Sequence, residues 1–370
     1  MELKTLFKVH MPESVNEPLL EVLHSGFIGQ GQKVEEFEHK LAKYFGNKNV
    51  LTINSGTSSI QLALRLSNVG PGDEVISTAM TCTATNMPIL AAGAKIVWAD
   101  VNPLTGLIDV ESIAKKITSK TKAIIMVHFG GIPCDIDEIN KLAHSFGIKT
   151  IEDAAHAFGS EYNGLKIANH SDFVAFSLQA IKHITTVDGG LLFCKNTDDY
   201  VRGKLLRWYG IDRESKRASF RCEDDIKEYG YKFHMNDIAA TIGIEQLKYV
   251  DSLISKHIMN QDYYDQNLAK TNGIRLIPKP SHIKSSAWIY TFHVQNRDLF
   301  IEWIGNHGVM ASRVHERNDK HTAFKASMAD LPGLDKFNSS QVAIPVGWWI
   351  DENDRQYIVE KINQFSLEFL

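Results

Sequence analysis

The sequence has few cysteines and no long apolar run. Its four cysteines, Cys82, Cys134, Cys194 and Cys222, lie far apart without a C-x-x-C pair, which argues against a disulfide framework or a zinc site. No apolar stretch approaches the roughly 18 residues that a membrane span needs, and the first residues, "MELKTLFKVH", lack the apolar core of a signal peptide. We therefore expect a cytoplasmic protein that does not enter a membrane.

The sequence also lacks a dense run of basic residues. Forty Lys and Arg residues stand against 44 Asp and Glu residues, so the formal net charge is -4. Nucleic acid is therefore not an expected partner. With 370 residues, 44% of them hydrophobic and 23% charged, the composition is typical of a soluble enzyme with two domains.

Short β-branched runs alternate with amphipathic stretches through the first two thirds of the chain. Seven runs predict strands: "KNVLTI", "DEVIST", "KIVWAD", "KAIIMVHF", "IKTIED", "DFVAFSL" and "GGLLFC". Four stretches between them predict helices: "TSSIQLALRLSN", "ATNMPILAAG", "VESIAKKI" and "IDEINKLAHSFG". Because strands this hydrophobic must be covered on both faces, the pattern predicts an α/β fold with a mostly parallel sheet.

The pattern changes near residue 250. A long helix, "IEQLKYVDSLISKHIMNQDYYDQNLAK", is followed by "SSAWIYTFHV", "LFIEWIGNHGV" and a final helix, "DENDRQYIVEKINQF". We therefore expect a large domain over residues 1–250 and a smaller α+β domain over residues 251–370.

Polar residues follow several of the predicted strands, where parallel sheets bind their ligands. "INSGTSSIQLAL" places Ser55, Gly56 and Thr57 between a strand and a helix, so free N–H groups and hydroxyls could hold an anion. Such residues are also ordinary helix N-caps, and this alternative stays open. "IEDAAHAFGS" ends a strand with Asp153, for which a helix cap or a turn is the alternative, and places His156 three residues later, either at a pocket or at the surface.

A lysine completes the set. In "FSLQAIKHITTVDGGLLFC", Ser177 ends a strand and Lys182 follows five residues later, ahead of a glycine pair. An anion cradle, a carboxylate and a lysine are the groups that pyridoxal 5'-phosphate requires for its phosphate, its ring nitrogen and its aldehyde. A solvated loop lysine is the alternative reading.

On these motifs the chain resembles the DegT/DnrJ/EryC1/StrS family of pyridoxal-phosphate-dependent sugar aminotransferases. The likeness runs from "EVLHSGFIGQGQKVEEFEHKLAKYFG" to "YKFHMNDIAATIGIEQL", with a looser tail through "VHERNDKHTAF". Its most specific segment is similar to the family's S-F-H/Q-A-x-K-x-x-T-T-x-E/D-G-G. The resemblance implies the type I fold of aspartate aminotransferase, with a mostly parallel seven-stranded sheet and a smaller C-terminal α+β domain.

The resemblance also implies roles for individual residues. Lys182 would form the imine with the cofactor, Asp153 would pair with the ring nitrogen, and His156 would lie beside the phenolic oxygen. Other residues expected at the cofactor are Ser55, Gly56, Thr57 and Ser177 at the phosphate, Cys82 where many relatives stack an aromatic ring, and Lys232 where several relatives reach the neighbouring subunit's phosphate with an asparagine. Residues expected at the sugar nucleotide are Gly29, Gly31, Arg313, His315, Arg317 and His321, with a solvated basic loop as the alternative for the last four.

The activity implied by the resemblance is transfer of an amino group from L-glutamate to a nucleotide-linked keto-sugar. A 4-keto-6-deoxyhexose is favoured, for cell-surface polysaccharide such as O-antigen, and a homodimer with shared sites is expected. A dehydrating branch of the family carries histidine at the lysine position, so the presence of Lys182 favours transamination. A 3-keto-sugar aminotransferase, a dehydratase and a non-catalytic cofactor-binding protein stay open. "VGWWI" could stack on a base through Trp348 or Trp349, although packing is favoured.

Overall fold

A computed structural model describes residues 3–215 and 225–370 of the chain, so Cys222 lies outside the described part. The strands are β1 (Val50–Ile53), β2 (Glu74–Thr78), β3 (Lys95–Ala99), β4 (Thr121–Val127), β5 (Lys149–Asp153), β6 (Glu161–Tyr162), β7 (Leu165–Lys166), β8 (Phe173–Ser177), β9 (Gly190–Cys194), β10 (Ile274–Leu276), β11 (Ile283–Lys284), β12 (Tyr290–Val294) and β13 (Gln341–Ile344). The α-helices are α1 (Asn16–His24), α2 (Gln32–Phe45), α3 (Gly56–Leu66), α4 (Thr83–Ala91), α5 (Val110–Lys116), α6 (Ile136–Ser145), α7 (Thr197–Leu206), α8 (Asp237–Leu247), α9 (Val250–Leu268), α10 (Arg297–Asn306), α11 (Pro332–Ser340) and α12 (Glu352–Phe369). Short 3-10 helices lie at Glu13–Val15, Phe129–Gly131, Asn318–Lys320 and Thr322–Ser327.

The central sheet contains seven strands in the order β1-β9-β8-β5-β4-β2-β3. The pairs β2·β3, β2·β4, β4·β5 and β5·β8 are parallel, whereas β9 runs antiparallel to both β1 and β8. All seven predicted strands are therefore confirmed as members of one mostly parallel sheet. The strands are almost uniformly buried because helices cover both faces.

The four helices predicted between these strands are confirmed as α3, α4, α5 and α6. The long helix predicted after residue 243 is wrong in one respect, because it is broken into α8 and α9 around Lys248 and Tyr249. The segment "SSAWIYTFHV" forms a strand, β12, only from Tyr290 onwards, and the residues before it are irregular. This irregular segment contributes to the site described below.

The C-terminal part of the chain builds a three-stranded antiparallel sheet in the order β10-β12-β13. Its apolar cluster runs from Tyr264 on α9 to Phe365 on α12. The N-terminal segment joins this part through the bridge between Lys4 and Val309. A division of the chain at residues 250 and 251 stays a prediction. None of the described helices is long and apolar enough to span a bilayer.

The topology brings the carboxyl ends of neighbouring strands to one edge of the sheet. The register pairs Val127 with Asp153 and Asp153 with Ala175, two residues before Ser177. Helix α3 begins at the same edge, because β1 ends at Ile53 and leads directly into it. Residues that follow β4, β5 and β8 therefore face a common space.

Candidate active site

A cavity of about 310 Å³ opens at this edge of the sheet. The three polar features expected from the sequence all line it, namely the segment at Ser55, the carboxylate of Asp153 and the lysine Lys182. Side chains from the C-terminal part close the opposite wall, including Trp288 and His315.

The N-terminus of α3 forms the first wall. Ser55 is the N-cap, and its side chain accepts a hydrogen bond from the Ser58 N–H at 3.0 Å. The capping role is therefore real, and it leaves the first N–H groups of the helix, at Gly56 and Thr57, without a partner inside the helix. A Cβ atom on Gly56 would lie 2.9 Å from the Ser177 Cβ, so only glycine lets the helix end approach this hydroxyl. The result is an electropositive cradle of the kind that binds phosphate.

Asp153 forms the second wall. Its carboxylate is buried and accepts hydrogen bonds from the Thr85 hydroxyl at 2.6 Å and from the Ala155 N–H at 3.1 Å. Thr85 is held in turn by Thr81, whose hydroxyl lies 2.7 Å away. Because a carboxylate offers about four acceptor positions, two of them are still open for a cationic partner in the cavity.

Lys182 lies in the cavity with its side chain only partly exposed. Burial lowers the pKa of its amine to about 8, although the nearby Asp153 carboxylate works in the opposite direction. Lys182 Nζ lies 4.0 Å from the centre of the Trp288 ring. About a tenth of this amine is therefore neutral at pH 7, and it is the neutral form that acts as a nucleophile or a general base.

His156 belongs to a column of stacked rings along the cavity wall. Its ring lies 3.7 Å from Trp288 and 5.7 Å from His315, nearly parallel to both, and Phe7 stacks on Trp288 at 4.8 Å. Burial lowers the pKa of His156 well below its usual value and that of His315 to about 4. Both imidazoles are neutral at pH 7. The Gly130 N–H points to His156 Nδ1 at 3.4 Å, which leaves Nε2 as its N–H donor.

Cys82 lines the cavity directly before α4, with its side chain exposed to that space. The exposed Lys232 does not line the cavity but lies outside it, with Nζ 4.3 Å from the centre of the Trp208 ring. His234 stacks on the same tryptophan at 3.5 Å. Lys232 is thus held on an aromatic surface beside the end of β1, where Asn54 donates to its carbonyl at 3.2 Å.

Of the residues expected at the sugar nucleotide, only His315 lines the cavity. Gly29 and Gly31 are tied to the start of α8 instead, because Gly31 N–H donates to the Asp237 carboxylate and Gly29 accepts from the Asp237 N–H, both at 2.8 Å. Arg313 is half-exposed and pairs with Glu316 at 3.1 Å. His321 is exposed at a 3-10 turn.

Arg317 is not available to a diphosphate in this structure. Its guanidinium is buried, with two of its nitrogens 2.7 Å from the Asp319 carboxylate, and a third contacts Asp335. Both carboxylates belong to the same chain, so the charge that the sequence offered to a substrate is already neutralised. Its role here is to hold the segment that follows His315.

Sequence reasoning missed several side chains of the cavity. Trp288 lies in the segment "SSAWIYTFHV" and Phe7 lies near the N-terminus, and nothing local marks either as a cavity residue. Thr85 carried a weak signal, since it lies four residues after Thr81 and therefore on the same side of a helix start. Trp349 packs as expected and donates its indole N–H to the Thr5 carbonyl at 2.9 Å.

The residues present fit pyridoxal phosphate. The cradle at Gly56 has the space and the donors for a dianion, the Asp153 carboxylate keeps acceptor positions for a protonated ring nitrogen, and Lys182 offers an amine. All three groups share one cavity.

Comparisons with known proteins agree with this geometry. The DegT/DnrJ/EryC1/StrS aminotransferase family matches residues 10–363. The UDP-4-amino-4,6-dideoxy-N-acetyl-beta-L-altrosamine transaminase of Campylobacter jejuni is 30% identical over 95% of each chain. The structure of sugar aminotransferase CalS13 from Micromonospora echinospora superposes with a TM-score of 0.94 at 36% identity, covering 97% of this chain and 99% of that one.

A further solved structure, the pyridoxal-phosphate form of the sugar aminotransferase Spr1654 from Streptococcus pneumoniae, gives a TM-score of 0.92 at 28% identity over the full length of both chains. The cavity and these likenesses lead to one conclusion. The chain belongs to the DegT/DnrJ/EryC1/StrS aminotransferase family and is a sugar aminotransferase that depends on pyridoxal phosphate.

Proposed function

We propose that the protein transfers the amino group of L-glutamate to C4 of a nucleotide-linked 4-keto-6-deoxyhexose. The observation that carries the proposal is that the Lys182 amine shares one cavity with Asp153 and with the cradle at Gly56. The pKa of this amine is lowered, which makes its neutral form accessible. When bound, pyridoxal phosphate supplies an electron-withdrawing ring and a carbon that carries the amino group between the two substrates.

Different residues of the cavity hold the cofactor and move the protons. The N–H groups at the start of α3 and the Ser177 hydroxyl hold the phosphate and so fix the cofactor's position. Asp153, oriented by Thr85, holds the proton on the ring nitrogen. Lys182 Nζ is the base that takes the α-proton of the donor, and its amine returns a proton when the sugar carbon receives nitrogen.

The neutral His156 would donate through Nε2 to the phenolic oxygen of the bound cofactor. Its ring is fixed by the stack on Trp288 and by the Gly130 N–H. Because His156 is neutral, it does not lower the pKa of Lys182, as a second cation beside that amine would.

Two observations support the 6-deoxy sugar and the position of the amine. The Campylobacter relative is named for a 4-amino-4,6-dideoxy sugar. Phe7, Ile181 and Val314 are apolar residues of the cavity lining, and such residues suit a methyl group better than a hydroxymethyl group. A role in cell-surface polysaccharide synthesis and a cytoplasmic location remain predictions.

The test is a product analysis with nitrogen-15-labelled glutamate and four acceptors, namely 4-keto-6-deoxy and 3-keto-6-deoxy sugars on uridine and on thymidine diphosphate. We expect the label on C4 of the sugar, with loss of label from the donor. Label on C3 would identify a 3-keto-sugar aminotransferase. Loss of the 3-hydroxyl without transfer of label would identify a dehydratase, and no turnover with any acceptor would contradict the proposal.

We also propose a homodimer in which Lys232 reaches the neighbouring subunit's phosphate. The support is that Lys232 is exposed, lies outside its own cavity and is held on Trp208. Coexpression of Lys182→Ala and Lys232→Ala chains with different tags tests it, since a mixed dimer rebuilds one intact site only if Lys232 acts across the interface. We expect partial activity in the purified mixed dimer. An inactive mixed dimer, or a fully active monomer in sedimentation, would contradict it.

A further inference from the structure

Trp288 is held in the cavity by contacts on every side. It is 2% exposed, and its indole N–H donates to the Ile181 carbonyl at 2.9 Å, the residue directly before Lys182. One ring face meets His156 at 3.7 Å, and the Lys182 ammonium lies 4.0 Å from the ring centre. The indole therefore contacts both the segment that carries the lysine and the lysine itself.

The backbone that aims Trp288 is strained. Ala287 has φ 51°, a left-handed conformation that residues with a Cβ seldom adopt. The carbonyl groups at this bend are engaged by two buried histidines, because His183 Nε2 lies 3.0 Å from the Ser286 oxygen and His257 Nδ1 lies 2.9 Å from the Ala287 oxygen. Strain of this kind persists where the surrounding structure enforces it, and it is concentrated at functional sites.

Both histidines act as neutral donors. Burial lowers the pKa of His183 well below its usual value and that of His257 to about 4. His183 follows Lys182 directly in the sequence, and His257 lies on α9. The bend before Trp288 is thus fastened on one side to the lysine segment and on the other side to α9.

We propose that Trp288 is a positioning residue whose indole face holds the free Lys182 amine in place, and that His183 and His257 fix the bend that aims it. The inference rests on the proposed function only in the role that it gives to Lys182. A cation over an indole face is favoured over the same cation beside an aliphatic side chain. Trp288 therefore stabilises the protonated amine against the effect of burial.

Other groups face the same amine and must be kept constant in a test. They are the Asp153 carboxylate, the Cys82 thiol and the imidazoles of His156, His183 and His315. Changing Trp288 alone removes none of these groups, but it takes away the ring on which His156 stacks, and Trp288→Phe keeps a ring at that place. The readout is the rate at which cofactor-free protein captures added pyridoxal phosphate, followed by its visible absorption at a series of pH values.

Only a neutral amine attacks an aldehyde, so this rate rises with pH and levels off above the pKa of Lys182. We expect a midpoint near pH 8 for the wild type. Trp288→Leu should lower the midpoint by about half a unit to one unit, and Trp288→Phe, which keeps an aromatic face, by less. His257→Leu, which frees the Ala287 carbonyl, should reproduce part of the shift.

Trp303→Phe is the matched control, because this tryptophan also stacks on a histidine, His307 at 4.0 Å, but lies on α10 away from the cavity. Its midpoint should equal that of the wild type. A midpoint in Trp288→Leu that is unchanged or raised would overturn the proposal, even if the thermal unfolding temperature fell. The experiment uses neither glutamate nor a sugar, so its result can be interpreted even if the proposed donor and acceptor are wrong.

Discussion

Substitution of Gly56 by alanine is the most direct test of the phosphate cradle at the start of α3. In Gly56→Ala the new Cβ would lie 2.9 Å from Ser177 Cβ and 3.1 Å from Ser177 Cα. Carbon atoms in contact prefer about 3.5 to 4.0 Å, so the helix start or the end of β8 must move by roughly 0.6 to 1 Å. Such overpacking costs about 1 to 3 kcal/mol, and the better helix propensity of alanine returns up to ~1 kcal/mol.

Gly56→Ala should weaken the binding of pyridoxal phosphate more than it lowers the stability of the fold. Moving α3 away from Ser177 separates the donors that converge on the phosphate, and a hydrogen bond to a charged group is worth about 1.5 to 3 kcal/mol. Loss of one such bond weakens binding about 10- to 100-fold. Titration of cofactor-free protein with pyridoxal phosphate, followed by visible absorption, measures this directly, and thermal unfolding reports on the fold separately.

Gly305→Ala supplies the control, because this glycine lies in α10 with nothing within 4 Å of the position of its Cβ. It should keep wild-type affinity and gain up to ~1 kcal/mol of stability. If Gly56→Ala bound pyridoxal phosphate as tightly as the wild type, the assignment of the phosphate to this cradle would be refuted.

Three further predictions follow from the same structure. Cys82→Phe should tighten cofactor binding about 2- to 10-fold in the same titration, because a stacked ring adds about 0.5 to 1.5 kcal/mol; unchanged or weaker binding would remove Cys82 from the stacking position. Arg317→Ala should lower the free energy of unfolding by about 3 kcal/mol in urea, because the mostly buried Asp319 carboxylate loses its guanidinium partner. KM for the sugar should not change, and a raised KM would return Arg317 to the substrate site. Cofactor-free Lys182→Met should be about 3 kcal/mol more stable than the wild type at neutral pH, since lowering the pKa from 10.5 to about 8 disfavours the folded, protonated lysine. The wild type should gain the same amount of stability as pH rises from about 8 to 10.5, because in that range the lysine of the unfolded chain still binds the proton that the folded chain has lost. If Lys182→Met and the wild type were equally stable at pH 7, the desolvation of Lys182 would be contradicted.

Much of the fold could be predicted because its strands are buried on both faces and therefore stand out as apolar runs. The break between α8 and α9 could not, because no Gly or Pro marks it. There the N-terminal segment packs against the chain, with Gln246 bonded to the His10 carbonyl at 2.5 Å and Tyr249 to Ser14 at 3.3 Å. Contacts between residues more than 230 positions apart leave no local signal.

The candidate site divides in the same way. Asp153 ends β5, Gly56 begins the helix after β1 and Lys182 follows β8, so topology alone brings them together. Trp288 could not be predicted, because its place depends on a bend held by histidines from two other segments. Arg317 was expected at the sugar nucleotide because the sequence shows its positive charge. The sequence does not show that Asp335 lies beside it in space.

The central claim is that bound pyridoxal phosphate accepts the amino group of glutamate and that this transfer depends on Lys182. The measurement is the visible absorption spectrum of the protein with pyridoxal phosphate, before and after L-glutamate, for the wild type, Lys182→Ala and Lys166→Ala. Lys166 is a suitable control because burial also lowers the pKa of its amine, although it lies on β7 outside the cavity. We predict that glutamate removes the visible band in the wild type and in Lys166→Ala, and that Lys182→Ala shows no such response. A Lys182→Ala protein that responds to glutamate as the wild type does would contradict the central claim.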